Sequence, residues 1–195
     1  MGICSAKVRV WNQSSQKQEE THSILSLKYE GCQQQGFRMK GKVVYINLSK
    51  GGVPKLPVAE ALLTREGFWG DVQQNKKYHG GPERAVCLFS LSLIHQLQAE
   101  GHPIAPGTTG ENLTLDFPDY SLLVPGKVLQ IGDTVRIQIS DYAPPCTTIK
   151  HSFLQQKFTR IAQKTHPGES RLYARVLQEG MVKVGDEVGV VVGRD

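Results

Sequence analysis

The sequence predicts a mostly β (α+β) fold: a closed or strongly curled β-barrel with two or three peripheral helices. Three stretches carry that expectation. In "VRIQIS", Val135, Ile137 and Ile139 alternate with Arg136 and Gln138, the two-residue period of a strand with one buried face. "VLQIGDTVRIQI" (Val128 to Ile139) is echoed by "MVKVGDEVGVVV" (Met181 to Val192). Each reads as a short strand, a Gly-Asp turn and a strand, which predicts two similar hairpins closing a sheet. "AVCLFS" is a short apolar run of the kind a buried strand shows.

Taken in order, residues 1–38 are rich in Gln, Ser and Lys and read as an N-terminal extension, a flexible or misassigned leader. Only "HSILSLKYE" within it suggests a strand. Met39 is read as the natural start, and 39–195 as the domain. "MKGKVVYINLSKGGVPK" predicts a strand over Lys42 to Leu48 closed by a Gly-Gly turn. After the strand in "AVCLFS", Ser90 is placed to cap a helix that carries Leu91, Ile94 and Leu97 on one face and stops at Gly101. "SLLVPGKVLQIGDTVRIQIS" predicts strand, turn, strand, turn, strand. A second helix is expected between His151 and Lys164, with Phe153, Leu154, Phe158 and Ile161 as its apolar positions.

Composition narrows the classes. The 195 residues are 39% hydrophobic and 21% charged, which is globular and long enough for a sizeable core. No apolar run approaches the roughly 20 residues of a membrane span. The start "MGICSAKVRVW" has no apolar core of a signal peptide. The four cysteines, Cys4, Cys32, Cys87 and Cys146, form no C-x-x-C pair. That argues against a zinc ribbon or thioredoxin-type site and for free thiols in a reducing cytoplasm. Residues 1–40 hold six Lys or Arg against three Glu, so +3 of the net charge of +5 sits in the tail. A nucleic-acid role, which would need a basic face on the domain, is disfavoured.

Several loops carry candidate chemistry. "KYHGGPERAV" sets His79, Gly80, Gly81 and Pro82 before a strand, either as a tight turn or as a loop whose backbone approaches a ligand closely. Arg84 follows, a structural cation or a fork for a phosphate. "GTTGENLTL" combines Gly107 and Gly110 with two hydroxyls, the Glu111 carboxylate and the Asn112 amide, and can present consecutive N–H groups to an anion or be an ordinary polar loop. "YAPPCTTIK" stiffens the approach to Cys146 with two prolines and surrounds it with Thr147, Thr148 and Lys150. A cation nearby would favour a thiolate, as nucleophile or soft metal ligand. Cys87, inside the apolar strand, reads as a buried structural cysteine.

Together, "GKVVYINLSKGGVPKLPV", "GFWGDVQQNKKYHGGPERAVCLFS", "GTTGENLTL", "GDTVRIQISDYAPPC" and "RLYARVLQEGMVKVGDEV" resemble, in content and order, the MOSC domain. That is the C-terminal domain of molybdenum cofactor sulfurases, here in its stand-alone bacterial form. The resemblance covers residues 40–192. It implies a closed β-barrel with flanking helices. It implies that Cys146 carries sulfur or ligates the molybdenum of a molybdopterin cofactor. It also implies that His79, Gly80, Gly81, Gly110, Glu111, Asn112 and Leu113 line the pocket around Cys146. Arg84 and Arg175 match positions where the family often places a basic residue, and contact with a cofactor phosphate is expected of them. Phe89-Ser90 departs from the family's aromatic-Pro ending, and the 38-residue leader has no counterpart.

Two function classes follow from the resemblance. The first is a molybdenum-cofactor reductase of N-hydroxylated compounds. With no ferredoxin-type cysteine set in the chain, its electrons would come from a separate donor, a flavoprotein. The second is a carrier or delivery module that holds a persulfide or the cofactor on Cys146, supplied by a sulfur donor. Pyridoxal phosphate, which fused relatives use in a desulfurase domain, is not expected in a chain of this length. Deleting residues 1–38 is expected to leave a cooperatively unfolding domain, checked by the denaturation profile of the truncated protein against the full chain.

Overall fold

Seven strands close on themselves to form a barrel. The computed structural model describes residues 39–72 and 80–191. Its strands are β1 (Lys40–Leu48), β2 (Leu56–Val58), β3 (Glu60–Thr64), β4 (Gly67–Phe68), β5 (Val86–Ser90), β6 (Leu113–Asp116), β7 (Val128–Ile131), β8 (Val135–Ala143), β9 (Arg171–Gln178), β10 (Gly180–Lys183) and β11 (Glu187–Val190). Around the barrel the order is β11-β7-β8-β9-β5-β6-β1, and β1 pairs β11 to shut it. β2 continues the sheet beyond β1, and β10-β3-β4 form a separate three-stranded sheet. Of the barrel pairs only β5 and β6 are parallel. They are also the pair joined by an α-helix, α1 (Leu91–Ala99), because parallel neighbours need a crossover rather than a hairpin.

Alternation builds the interior. Val135, Ile137 and Ile139 of β8 point inward with Leu129 and Ile131 of β7 and Leu172, Ala174 and Val176 of β9, as the sequence period requires. In β1 the phase slips: Val43 and Ile46, three residues apart, are both fully buried, and the register against β6 shifts between Val43 and Tyr45. Such a bulge bends a strand and sharpens its twist, which a barrel wall needs. β5 is buried along its whole length. Val86 and Leu88 face the barrel core, while Phe89 packs outside it with Ile94, Leu97, Ile104, Ile149, Phe153 and Ile161.

The helix forms as its sequence directs. The Ser90 hydroxyl accepts from the Leu93 N–H, and Ile94 and Leu97 face inward. At the other end Gly101, at φ +90°, lets its N–H reach the Gln98 carbonyl and the His102 N–H reach the Leu97 carbonyl, a Schellman stop. Among the described residues no helix is long and apolar enough to cross a membrane.

Three local expectations are corrected. "SLLV" is not a strand: Tyr120–Leu122 form a single 3-10 turn capped by the Asp119 carboxylate, and the Tyr120 hydroxyl donates to the Leu88 carbonyl at 3.0 Å. Residues 151–164 are not one α-helix. They contribute to three 3-10 segments, Thr147–Ser152, Leu154–Gln156 and Phe158–Ile161. Extended backbone at Phe153 turns its ring into the outer core, and positive φ at Gln155 and Gln156 breaks any longer helix. The second Gly-Asp echo is not a hairpin. β10 pairs β3, whereas β11 pairs β7 and β1. The turn between them is held by β1 instead, since Gly185 N–H donates to the Val43 carbonyl at 2.8 Å and Val43 N–H to the Asp186 carbonyl at 2.9 Å. "HSILSLKYE" lies outside the described residues.

The outer layer is tied by charge. Arg160 donates to both oxygens of Glu100, at 2.7 and 2.8 Å, and to Glu169, joining the end of α1 to the 3-10 run and to the approach to β9. The Arg160 guanidinium holds the Glu100 carboxyl down at about 2. Because that is below its unfolded value, the stabilisation is present above pH ~4.5 and is lost as pH falls towards 2. Glu100→Gln is therefore expected to lower the melting temperature modestly at pH 7 and to match wild type as pH approaches 2, read from paired thermal melts across that range.

Candidate functional site

A cavity of about 170 Å³ opens on the outside of the barrel, against β5 and β9. Its floor follows from the strand period. Leu172, Ala174 and Val176 of β9 go to the core, so Arg171, Tyr173 and Arg175 form the outer row. Cys87 of β5 stands directly opposite Tyr173 in the register and likewise faces out. Arg171, Tyr173 and Cys87 line the cavity, and its walls are loops. Gly52, Val53 and Lys55 come from the β1–β2 turn, Thr109, Gly110 and Asn112 from the segment before β6, and Cys146, Thr148 and Ile149 from the segment after β8. Gly80 and Arg84 flank it.

Cys146 is half-buried at the start of a 3-10 segment. The cavity it borders carries three cations, Lys55, Arg84 and Arg171, and none of the described residues lining it is a carboxylate. Lys55 is 9% exposed and pairs with Asp71, whose other bonds come from the Ser49 N–H at 2.8 Å and the Asn112 amide at 2.8 Å. The Arg84 guanidinium sits 5.4 Å from the centre of the Tyr173 ring. Burial, with the Cys87 sulfur beside it, pushes the Tyr173 hydroxyl up to about 12, so it remains an O–H donor at neutral pH. Burial also raises the Cys87 thiol, against the pull of Arg171, which keeps it a neutral thiol.

The segment before β6 is organised from beneath. Glu111 is fully buried and accepts from the Gly107 N–H at 2.6 Å, the Thr109 hydroxyl at 2.6 Å and the Thr114 hydroxyl at 3.3 Å. Burial pushes its carboxyl up, and the first two of these bonds oppose that shift. Glu111 thus sits behind the cavity wall, shaping it without lining it. Leu113 is in the barrel core. Gly110, at φ +81°, brings bare backbone to the surface, where a Cβ would stand 3.1 Å from Val53.

The sequence-derived candidates therefore separate. Cys146, Gly80, Arg84, Gly110 and Asn112 come together around the cavity. Gly81 stands at the start of the 3-10 turn Pro82–Arg84, where an added Cβ would meet open space. Arg175, one outer position beyond Tyr173, points away from the cavity and is engaged by Gln138 and Glu83. His79 lies outside the described residues. Three cavity residues with charged or hydroxyl side chains escaped the sequence reading: Lys55, Arg171 and Tyr173. The signal for the last two was present, since "RLYARV" puts Arg171, Tyr173 and Arg175 on one face, but period alone does not say which of them a cavity covers. Lys150 does not line the cavity, so the cations there are those from other loops and strands. Among the described residues no three His, Cys, Asp or Glu cluster as a metal site, and of the two cysteines that line the cavity Cys146 is the more exposed.

The family model of the MOSC domain matches residues 75–189. The chain is similar to the uncharacterized protein YflK of Bacillus subtilis, with 31% identity over 169 residues, 86% of this chain and 72% of YflK. It is 29% identical over 131 residues to a protein of Gibberella moniliformis named "Reductase", covering 64% of this chain and 22% of that one. Among solved structures it resembles YiiM from Geobacillus stearothermophilus, with TM-score 0.62, 25% identity, and 78% and 75% of the two chains covered.

Gly107 tests how tightly the wall is built. At φ +82° its Cβ would fall 2.3 Å from the Lys55 carbonyl oxygen, the residue whose N–H it already receives at 2.9 Å. Gly107→Ala is expected to cost about 1–3 kcal/mol through backbone strain, with the clash adding to it, measured by urea denaturation.

Proposed function

This chain belongs to the MOSC domain family, and we propose that it binds a molybdenum cofactor with Cys146 as the metal's thiolate ligand and reduces N-hydroxylated compounds. The observation that carries the reading is the cavity itself, where one accessible thiol shares walls with Lys55, Arg84 and Arg171 and with no described carboxylate. The residues fit the group. A soft sulfur suits molybdenum, the cations suit an anionic pterin phosphate, and bare backbone at Gly110 leaves room for close approach. When bound, the cofactor supplies two-electron redox chemistry at a metal centre.

The chain's own part is binding and orientation. Cys146 presents its sulfur from a rigid Pro-Pro lead-in. Arg84, held over the Tyr173 ring, and Lys55, steadied by Asp71, place positive charge at two sides of the cavity. Tyr173 keeps its proton at neutral pH and lines the floor. Reduction of an N-hydroxyl compound to the amine and water takes two electrons and two protons, and the electrons require a separate donor, a flavoprotein in this reading. The protein named "Reductase" among the relatives supports the reaction class. Free thiols at Cys87 and Cys146 support a reducing, cytoplasmic setting. The accessibility of Cys146 also supports a second reading, a carrier that holds a persulfide or the cofactor without turnover.

Cys146→Ser replaces a soft thiolate by a hard hydroxyl at little packing cost. It is expected to lose molybdenum, persulfide labelling and any turnover with the melting temperature kept. Cys87→Ser, which buries a hydroxyl, is expected to lose about 1–3 kcal/mol of stability with the metal kept. Elemental analysis, persulfide labelling and thermal melts on protein from a cofactor-competent host read both. Turnover of an N-hydroxylated base with an artificial electron donor separates enzyme from carrier. Retention of metal, label and turnover by Cys146→Ser would sink the assignment.

A further inference from the structure

We infer that Arg171 is the positioning residue of the site: its guanidinium joins the Cys146 loop to the Thr109–Gly110 loop and thereby sets where the Cys146 sulfur stands. The inference rests on the reading that Cys146 carries the chemistry.

Arg171 opens β9 and is 4% exposed. One terminal nitrogen, Nη1, donates to the Thr109 carbonyl, and the other, Nη2, donates to the Pro144 carbonyl at 3.2 Å. Thr109 is joined directly to Gly110. Pro144 is separated from Cys146 only by Pro145, whose ring fixes φ, so an anchor at Pro144 is passed on stiffly to the thiol. The two carbonyls belong to two different segments, those that carry Thr109 and Cys146 to the cavity, and a planar fork is the side chain that reaches both at once.

Arg171 is costly where it stands. It takes part in no ion pair within 4 Å among the described residues, and its Nε, buried, has no hydrogen-bond partner there. A buried cation with no carboxylate in ion-pair reach is a poor stabiliser, and an apolar side chain of similar volume would often serve the fold as well or better. The placement of its two satisfied donors, on the loops that frame Cys146, accounts for keeping it.

The test uses the full chain without metal, so it reads the thiol and not the cofactor. Arg171→Met keeps the volume and removes both bonds, and Arg171→Lys keeps the charge but cannot reach both carbonyls. Arg160→Met serves as control, because it breaks the Glu100–Arg160–Glu169 tie and touches neither loop. Alkylation of Cys146 by iodoacetamide is followed by peptide mass spectrometry. Both Arg171 variants are expected to change the Cys146 rate about threefold or more, with Lys failing to restore it, while Arg160→Met lowers the melting temperature and leaves the rate unchanged. Folded Arg171 variants that alkylate Cys146 at the wild-type rate would overturn the inference. Native-state hydrogen exchange on the unmutated protein tests it without any variant. Amides at 109–112 and 146–149 should open together, and independent opening of the two loops overturns the coupling. Because these readouts need no molybdenum, a failure of the cofactor reading in Cys146→Ser leaves this result standing, and the reverse holds too.

Discussion

Asn112 meets both backbone groups of Cys87. Its N–H donates to the Cys87 carbonyl at 2.7 Å, and its Oδ1 accepts from the Cys87 N–H at 3.2 Å. Its carbonyl takes the Asn47 N–H at 2.7 Å, and its amide donates to the Asn47 carbonyl and to Asp71. Asn112 stands one residue before β6, so β5 and β1 are running past the end of the strand that separates them. The Cys87 N–H and the Asn47 carbonyl would be buried without these partners, at a cost of about 1–3 kcal/mol each, were the side chain not there to extend the ladder. The same amide fixes Asp71, and Asp71 in turn holds Lys55 at the cavity. The β5–β6–β1 part of the barrel wall and one side of the cavity thus meet at a single residue.

The site is the outer face of strands whose inner face is the core. On β9, residues one apart serve opposite purposes: Leu172 and Ala174 fill the barrel, Arg171 and Tyr173 floor the cavity. On β5, Val86 and Leu88 are core, and Cys87 is floor. A wall so constrained leaves little freedom in the floor, because a one-residue slip would exchange the two faces. The loops that form the sides are held separately, by Glu111 from beneath and by the Asp71–Lys55 pair from the side. Rigid strands carry the loops that wall the cavity.

Charge is buried around this cavity at a density the other described residues do not share. Lys55, Asp71, Glu111 and Arg171 are all nearly or fully removed from solvent, and each is met by hydrogen bonds from backbone or side chains. Such groups destabilise a fold unless paired, and the apolar barrel interior offsets them. Their effect on the two thiols differs by depth. Cys87, at 6% exposure, is pushed up and stays protonated, whereas Cys146 stands half-exposed at the edge of the cations. Depth, more than neighbouring sequence, sorts the buried sulfur from the accessible one.

Much of this was legible in the residues. Period two in Val135, Ile137 and Ile139 determined a strand and its inner face. Ser90 and Gly101 determined the ends of α1, because a cap and a left-handed stop are local chemistry. The motif order from His79 to Cys146 determined the family. Local rules failed where long-range pairing decided. The Gly-Asp segment Met181–Val192 has hairpin chemistry, yet β1 captures its turn and sends β10 and β11 to different sheets. Residues 151–164 have apolar residues enough for a helix, yet Phe153 is drawn into the outer core and breaks it. Only the tertiary structure decided that Arg171 and not Arg175 meets the cavity, that Lys55 reaches it from a turn 91 residues before Cys146, and that Glu111 works from behind. Alternation assigns a side chain to a face of a sheet. Which loops then cover that face depends on contacts between segments far apart in the chain, and no local pattern encodes those.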